Sequence, residues 1–438
     1  MNAFLKKGRT AKNFGLAVLG LAVMASGGQV TAAPLKEELE TLVTTHKRML
    51  AAQADLTATE EQVSVAWGDW YPTFDATANI GHEKRVKPSG SDDTDMVPRN
   101  VDLSLTQKVW DFGSTNSAIR RAKLSVHQSR ATLRSTRQTL LLEGLTAHIN
   151  VIRAQKLLSF AEGSVANIKR QAELEDARVQ RGSGFSTDVL QAKTQLAGAQ
   201  ARAIQTEGAL RTALNRYRAV FGKTPDELSK MKEPRLPLEL LPKSLEEAVK
   251  LVGKGNPQLE ASRLSATIAL EDVRKTRADE FFPVFEAIAE SNFKEDNGGT
   301  VGSQQERLVK LEMTYDFNLG LTAVNSLKAS NQTHIATTNR FGDTRDLVEE
   351  QAYNAWDNLE TARSNAEHLH NQANIASEFL ELARRERQLG NRSLIDVLAG
   401  ETALINASSD AASADTDVAI AVFTLLNVMG QLSPEIVE

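Results

Sequence analysis

The chain has 438 residues, of which 41% are hydrophobic and 24% charged, and a formal net charge of −5. This composition indicates a folded protein of two or three domains or one elongated domain, without an overall basic field for nucleic acid or anionic lipid. The chain contains no cysteine, which excludes disulfides, thiol catalysis, thiolate metal sites and lipid attachment at an N-terminal cysteine.

The N-terminus predicts a cleaved secretion signal over residues 1–32. A basic start precedes an apolar run over residues 14–24, and Val30 and Ala32 stand at the small-residue positions of a cleavage site. An anchoring helix is the weaker interpretation, because spanning a bilayer takes about 18 or more apolar residues. No later run is that long, so a mature chain that crosses a membrane must do so by strands closed into a barrel.

The rest of the chain repeats itself. A shift of 208 residues aligns Gly182 with Gly390 and the Asp-Val-Leu at 188–190 with that at 396–398. Such a repeat indicates one structural unit used twice. We predict a first repeat over 33–222, a Pro-rich linker over 223–243, a second repeat over 244–430, opened by a capping box of Ser244 and Glu247, and a C-terminal tail over 431–438.

Each half has the same predicted order of elements: a helical stretch, a strand, a polar loop, a second strand, a very long helix, a glycine-containing turn and another long helix. In the first half the opening stretch, the strands and the very long helix are predicted at 35–68, 72–82, 100–110 and 114–181. In the second half they are predicted at 244–280, 283–293, 307–317 and 322–389.

The strand predictions depend on alternation, as where Phe74 and Ala76 alternate with Asp75 and Thr77. A half-buried sheet of a soluble protein would show the same pattern. Strands of about ten residues with aromatic residues at one end are typical of a membrane barrel. Four strands cannot close a barrel, so several copies must contribute, and three copies would give twelve strands. The expected membrane-interface aromatics are Trp70, Tyr71, Trp110, Phe112, Phe281 and Phe282.

The two very long helices account for much of the chain. At 1.5 Å per residue each is roughly 100 Å long, which exceeds the core of a compact domain. They predict a bundle with coiled-coil character that projects from the barrel. A coiled-coil scaffold or adhesin would also explain the helices, but not the strands or the signal.

A secreted chain with two such repeats resembles the TolC-type outer-membrane efflux protein family over essentially the whole mature chain. The most specific segments are GSGFSTDVLQAKTQL from Gly182, GNRSLIDVLAGETAL from Gly390 and NPQLEAS from Asn256. The resemblance implies an α+β membrane protein, a homotrimer whose 12-stranded outer-membrane β-barrel takes four strands from each chain and continues into a long α-helical periplasmic tunnel. It also implies a Gram-negative cell envelope and, as partners, outer-membrane lipid, a periplasmic adaptor (membrane fusion) protein and an inner-membrane pump, ABC-type or proton-driven.

The resemblance further implies a gate at the periplasmic helix tips. Asp396 matches the acid that lines the closed constriction, and Arg392 and Thr187 match a pair that tethers the tips. Asp188 matches a second tether, whose partner position here is Arg387, so that an Asp188–Arg387 salt bridge is expected.

Asp396 has a second interpretation, which is compatible with the first. Ser393 and Asp396 resemble the cap and the first-turn acid that open a helix. The first repeat has Phe185 where the second has Ser393, so the cap is not repeated. Ala399 replaces a second acid that the best-known relatives carry one turn after Asp396.

The helix tips are also expected to dock the adaptor. They comprise Gly182, Ser183, Gly184, Phe185, Leu389, Gly390 and Asn391.

The sequence shows no catalytic constellation. His368 and His370 lie two residues apart, and such residues point in different directions on a helix. The VFGKTP segment lacks the first glycine of a phosphate loop, whose place Tyr217 occupies. We therefore expect no enzyme activity, no cofactor, no metal and no nucleic-acid partner.

The leading hypothesis is the exit duct of a tripartite export system, opened at its tips by the adaptor and pump. The second strand of the second repeat runs into DFNLGLTAVNSL rather than the Gly-Gly turn frequent among drug-efflux members. With the missing lipid cysteine, this favours type I secretion of adhesins or toxins. A multidrug efflux channel is the alternative.

Overall fold

The computed structural model describes residues 35–437, except Ser89, Ser91, Asp226 and Phe317. The signal segment predicted over residues 1–32 lies outside the described residues. The first half contains α1 (Leu35–Thr45), α2 (Lys47–Gly68), β1 (Thr73–Ile80), β2 (Glu83–Arg85), β3 (Thr94–Met96), β4 (Arg99–Trp110), α3 (Ser114–Gln180) and α4 (Ser186–Phe221). The second half contains α5 (Leu245–Gly255), α6 (Pro257–Phe281), β5 (Val284–Glu295), β6 (Ser303–Thr314), α7 (Thr322–Gln388) and α8 (Leu394–Val428).

The two halves share one order of helices and strands, and α3 and α7 are each 67 residues long. Both long helices end within one residue of the predicted ends at 181 and 389, because a glycine turn stops each of them. The helix α5 begins as expected: the Ser244 side chain accepts a hydrogen bond from the Glu247 backbone N–H at 3.3 Å. The Glu247 carboxylate in turn accepts one from the backbone N–H of Lys243 at 2.8 Å.

Two predictions around the strands are wrong. The last strand runs over Ser303–Thr314 rather than 307–317, because polar residues at its start pair in register with the end of β5, as Ser303 does with Glu295. The loop between β1 and β4 contains the small β2–β3 hairpin, whose three-residue strands are too short to show alternation. Arg85 of this hairpin donates to the Gly298 carbonyl at 2.6 Å, which joins the loops of the two halves.

The four long strands form one antiparallel sheet in the order β1-β4-β5-β6. Its two faces differ in polarity, as the cross-strand rows show. One row pairs Phe74, Leu105, Ala289 and Val309, whereas a row on the other face pairs Thr77, Asp102, Asn292 and Glu306. Among the described residues, the strands β1 and β6 each have one edge without a partner strand.

The main hydrophobic core lies midway along the helices, where α1, α3, α5, α7 and α8 meet. It contains Leu39, Leu141 and Phe423, all nearly inaccessible to solvent. The segment predicted as a tail is 431–438, and its described part, 431–437, packs onto this core, where Leu432 is buried. The Gln138 side chain holds the Leu432 backbone twice, donating to its carbonyl and accepting from its N–H, each at 2.9 Å.

Within the described part of the chain, α8 is the one helix whose length and composition would allow it to cross a membrane. It packs along α7 and α3, however, and buries Leu398, Phe423 and Leu426 among them. A core helix of a bundle has this composition, so its apolar character reflects its place between other helices.

The end of α5 packs closely against the end of α8, which yields a stability prediction. A Cβ added at Gly255 would overlap the carbonyl oxygen of Met429, whereas a Cβ at Gly253 in the same helix would meet nothing within 4 Å. Gly255→Ala should therefore force the two helices apart and lower the free energy of unfolding by about 1–3 kcal/mol. Thermal unfolding followed by circular dichroism measures this loss, and Gly253→Ala is the control. Equal unfolding temperatures for the two variants would contradict the packing.

Candidate functional site at the helix tips

The helices α3 and α7 each end in a turn of the same type. These two turns form the tips that connect α3 to α4 and α7 to α8. Gly182 and Gly390 adopt positive φ values of 73° and 81°, which favour glycine. The next N–H in each case bonds back five residues, from Ser183 to the Arg178 carbonyl and from Asn391 to the Glu386 carbonyl, both at 2.9 Å. The repeated glycine is thus explained by a repeated helix-ending motif.

The starts of α4 and α8 differ in their side chains. The Ser393 hydroxyl accepts a hydrogen bond from the Asp396 backbone N–H at 3.3 Å, and Asp396 lies in the first turn of α8. Phe185 occupies the equivalent cap position in the first repeat and makes no side-chain cap bond. The structure thus places Asp396 at the helix start, and its half-buried carboxylate makes no ion pair within the described residues.

Arg387 joins the two helical hairpins, α3–α4 and α7–α8, at the tips. Its guanidinium lies 3.6 Å from the Asp188 carboxylate, so the expected pair is present. A second Arg387 contact is closer, a 3.1 Å hydrogen bond to the Glu175 carboxylate of α3. Arg387 also donates to the backbone carbonyl of Arg392 at 3.2 Å. One side chain of α7 therefore holds α3, α4 and the second tip together.

Glu175 is the member of this cluster that the sequence did not reveal. Its side chain is only 4% exposed, and it accepts a second contact from Arg178 at 2.9 Å. A buried carboxylate needs such partners, since removing one member of a buried ion pair costs about 3–5 kcal/mol. The sequence shows an acid near the end of α3, but it does not indicate the partner of that acid, because Arg387 lies 212 residues further along the chain.

Arg392 and Thr187, expected to tether the tips, are not brought together within the chain. Arg392 instead donates to the Glu386 carboxylate at 2.5 Å and lies over the Phe379 ring at 5.4 Å. The nearby acid outcompetes a neutral hydroxyl because charge-assisted hydrogen bonds are stronger. Thr187 lies exposed, and its hydroxyl makes no hydrogen bond within the described residues.

An apolar contact also joins the two hairpins near the tips. Leu394 and Leu398 of α8 pack against a cluster that includes Ile168 of α3 and Ala192 of α4. Inside the second hairpin, by contrast, a separate ion pair joins Arg384 to the buried Glu401. The second hairpin is thus tied internally by Arg384 and tied to the first hairpin by Arg387.

The residues expected to dock an adaptor lie at the ends of the two hairpins. Phe185 and Leu389 expose 75% and 76% of their surface, large values for apolar side chains. Gly184 is half-buried, while Gly182, Ser183, Gly390 and Asn391 are exposed.

The predicted interface aromatics gather where the sheet meets the helices. Phe112 stacks on Phe282 with ring centroids 4.7 Å apart and meets Trp110 edge-on at 6.0 Å. Phe112 adopts a φ of 53°, uncommon for a large side chain. Trp70 is half-buried and donates to Asn116 at 3.3 Å, and Tyr71, Phe281 and Phe282 are exposed.

The described residues contain no group of three or more His, Cys, Asp or Glu side chains arranged to hold a metal ion. His370 lies 2.7 Å from Asp415 of α8, and none of the contacts described for the chain joins it to His368.

Comparison with known proteins covers both repeats. The family model for outer membrane efflux proteins matches residues 39–223 and 249–431. The outer membrane efflux protein BepC of Brucella suis is 24% identical over 427 residues, covering 95% of this chain and 91% of BepC. Outer membrane protein TolC of Vibrio cholerae is 24% identical over 440 residues, covering 95% of this chain and 96% of that relative.

Solved structures share the fold at low sequence identity. The outer-membrane channel OprN superposes with a TM-score of 0.80 at 19% identity, over 91% of this chain and 90% of OprN. The outer membrane protein VceC of Vibrio cholerae superposes with a TM-score of 0.77 at 17% identity, over 90% of this chain and 96% of VceC.

The architecture and the family match together define the protein. Three copies close a twelve-stranded barrel in the outer membrane of a Gram-negative bacterium, and their helices continue as a tunnel through the periplasm. The trimer works with a periplasmic adaptor and an inner-membrane pump, as an exit channel rather than an enzyme or a scaffold. The chain belongs to the outer membrane efflux protein family.

Proposed function

We propose that the channel is closed at its periplasmic tips and that Arg387 is the latch of the closed state. The main support for this proposal is that the Arg387 guanidinium of α7 contacts Glu175 of α3 at 3.1 Å and Asp188 of α4 at 3.6 Å. Opening a tunnel made of these hairpins requires the second hairpin to move away from the first. That movement separates Arg387 from both acids.

The strength of the latch comes from burial. Arg387 and Asp188 are each about three-quarters covered, and Glu175 is almost fully covered. Solvent therefore screens these contacts less than it screens an exposed pair, which is worth about 0–1 kcal/mol. The apolar contact between the hairpins at the tip, to which α8 contributes Leu394 and Leu398, acts together with these charged contacts. Separating the hairpins takes Arg387 away from the buried Glu175 carboxylate. An adaptor that opens the channel must therefore offset the free energy of this lost ion pair.

Asp396 takes a different role in this proposal. In a threefold assembly one Asp396 from each copy lies at the same height around one axis. A ring of carboxylates in a narrow pore favours cations over anions. Ala399, one turn further along α8, adds no second ring, so we expect weaker block by multivalent cations than a double acidic ring would give.

The latch predicts a conductance change in planar bilayers. Arg387→Gln should raise single-channel conductance several-fold, because Glu175 then keeps only Arg178 and the second hairpin moves more easily. Arg385→Gln is the matched control, since Arg385 lies on the same helix and, among the described residues, its side chain pairs only with the exposed Glu381. Equal conductance of the two variants would rule out the latch. Arg392→Gln and Thr187→Val test the tether that the family resemblance implies. Because the two residues do not meet within the described part of one chain, this tether would join neighbouring copies, and each variant should raise conductance by breaking it.

For the cargo, we propose a secreted protein of the adhesin or toxin class, exported by type I secretion. A supporting relative is the alkaline protease secretion protein AprF of Pseudomonas aeruginosa, 27% identical over 183 residues, or 41% of this chain. The Leu319-Gly320-Leu321 segment before α7 and the absence of cysteine point the same way.

A deletion strain tests the cargo. Loss of the gene should remove one or more large proteins from the culture medium and leave sensitivity to drugs and dyes unchanged, and the wild-type gene should restore secretion. Raised drug sensitivity with an unchanged set of secreted proteins would instead identify a multidrug efflux channel.

A further inference from the structure

The lipid-facing side of the sheet carries one charged side chain, Arg307 of β6, that has no acidic partner among the described residues. Along β6 the side chains of Met313, Leu311 and Val309 lie on the apolar face, which points to lipid in a membrane barrel. The next residue on that face is Arg307, two positions after Val309 towards the outer end. Arg307 is exposed, and within the described residues it makes no ion pair or hydrogen bond.

The cross-strand neighbours of Arg307 offer no acid. Arg307 pairs with Ser291, which pairs with Leu103, which in turn pairs with Ala76. Glu295, the acid of this face on β5, lies at the outer end, where it pairs with Arg99 at 3.4 Å.

The β1 strand of a neighbouring copy carries no acid on this face either. Because β1 and β6 are the open edges of the sheet, barrel closure places β6 beside the β1 strand of another copy. The face of β1 that points to lipid carries Phe74, Ala76, Ala78 and Ile80, whereas Asp75 points to the lumen side. Arg307 therefore has no carboxylate partner on either side within the sheet.

The position of Arg307 makes this isolation costly. It lies four residues inside the outer end of β6 at Ser303, a depth of about 10 Å for a tilted strand. An arginine on the lipid face costs about 2–4 kcal/mol at the midplane and little near the interface. The residues of this face between Arg307 and the outer end are Gln305 and Ser303, so a narrow polar track leads from Arg307 to the membrane surface.

We propose that Arg307, Gln305 and Ser303 form a binding track for the phosphorylated headgroup of an outer-leaflet lipid, one site per protomer. A guanidinium binds a phosphate through two parallel hydrogen bonds, and the polar side chains above it suit a sugar or glycerol headgroup. The other end of the same face carries Trp110, Phe285 and Met313 instead of a cation. This asymmetry assigns the site to the outer leaflet rather than the inner one.

The test measures lipid binding to the purified trimer in detergent. Native mass spectrometry would titrate the protein with diphosphorylated lipid A, with its phosphate-free form and with phosphatidylcholine. Wild type should bind up to three diphosphorylated molecules per trimer and prefer them to the other lipids. Arg307→Gln should weaken this binding about tenfold or more, as expected for the loss of a charge-assisted pair. Arg307→Lys, which keeps the charge but loses the paired geometry, should be intermediate.

Arg170→Gln is the control, because Arg170 is an exposed arginine of α3, outside the sheet. Removing a charge from the lipid face does not oppose barrel folding, so Arg307→Gln should remain a trimer. Unchanged lipid binding in Arg307→Gln would overturn the proposal, as would equal binding of the phosphate-free lipid. Full competition by millimolar inorganic phosphate would also overturn it, since the site would then bind free phosphate rather than lipid.

Discussion

Every backbone N–H and C=O within hydrocarbon needs a hydrogen-bond partner, and one chain cannot meet this requirement alone. Its four-stranded sheet leaves one edge of β1 and one edge of β6 open. Closure by three copies satisfies both edges and fixes the rest of the architecture. The two repeats each supply two strands and one pair of long helices, so the threefold barrel carries six helical hairpins around one axis.

That symmetry changes the meaning of contacts seen in a single chain. The Arg387 contacts with Glu175 and Asp188 lie between two hairpins of one chain, so the trimer contains three such Arg387 clusters, one in each copy. A change that separates one hairpin pair is repeated around the axis and changes the pore width at all three places. A small number of buried charged contacts can therefore control a tunnel that is roughly 100 Å long.

Helices were easier to predict than strands or side-chain partners. The ends of α3 and α7 follow from glycine turns, which are local signals. The start of β6 at Ser303 was missed because a polar strand end shows no alternation until its partner is known. Glu175 was missed because its partner Arg387 is distant in sequence. The Arg392 prediction overlooked Glu386, a local acid that the resemblance gave no reason to consider.

The repeated Asp-Val-Leu shows what duplication conserves and what it leaves free. The turn before it is the same in both repeats, because Gly182 and Gly390 both adopt a positive φ. The carboxylates differ because their surroundings differ: Asp188 faces the guanidinium of Arg387, whereas Asp396 follows the Ser393 cap and makes no ion pair within the described residues. The charge of a carboxylate that an arginine holds is largely balanced by that arginine, whereas a carboxylate without a cation is left to attract ions in a pore. In the proposed gate, the same tripeptide therefore serves the latch in one repeat and lines the pore in the other.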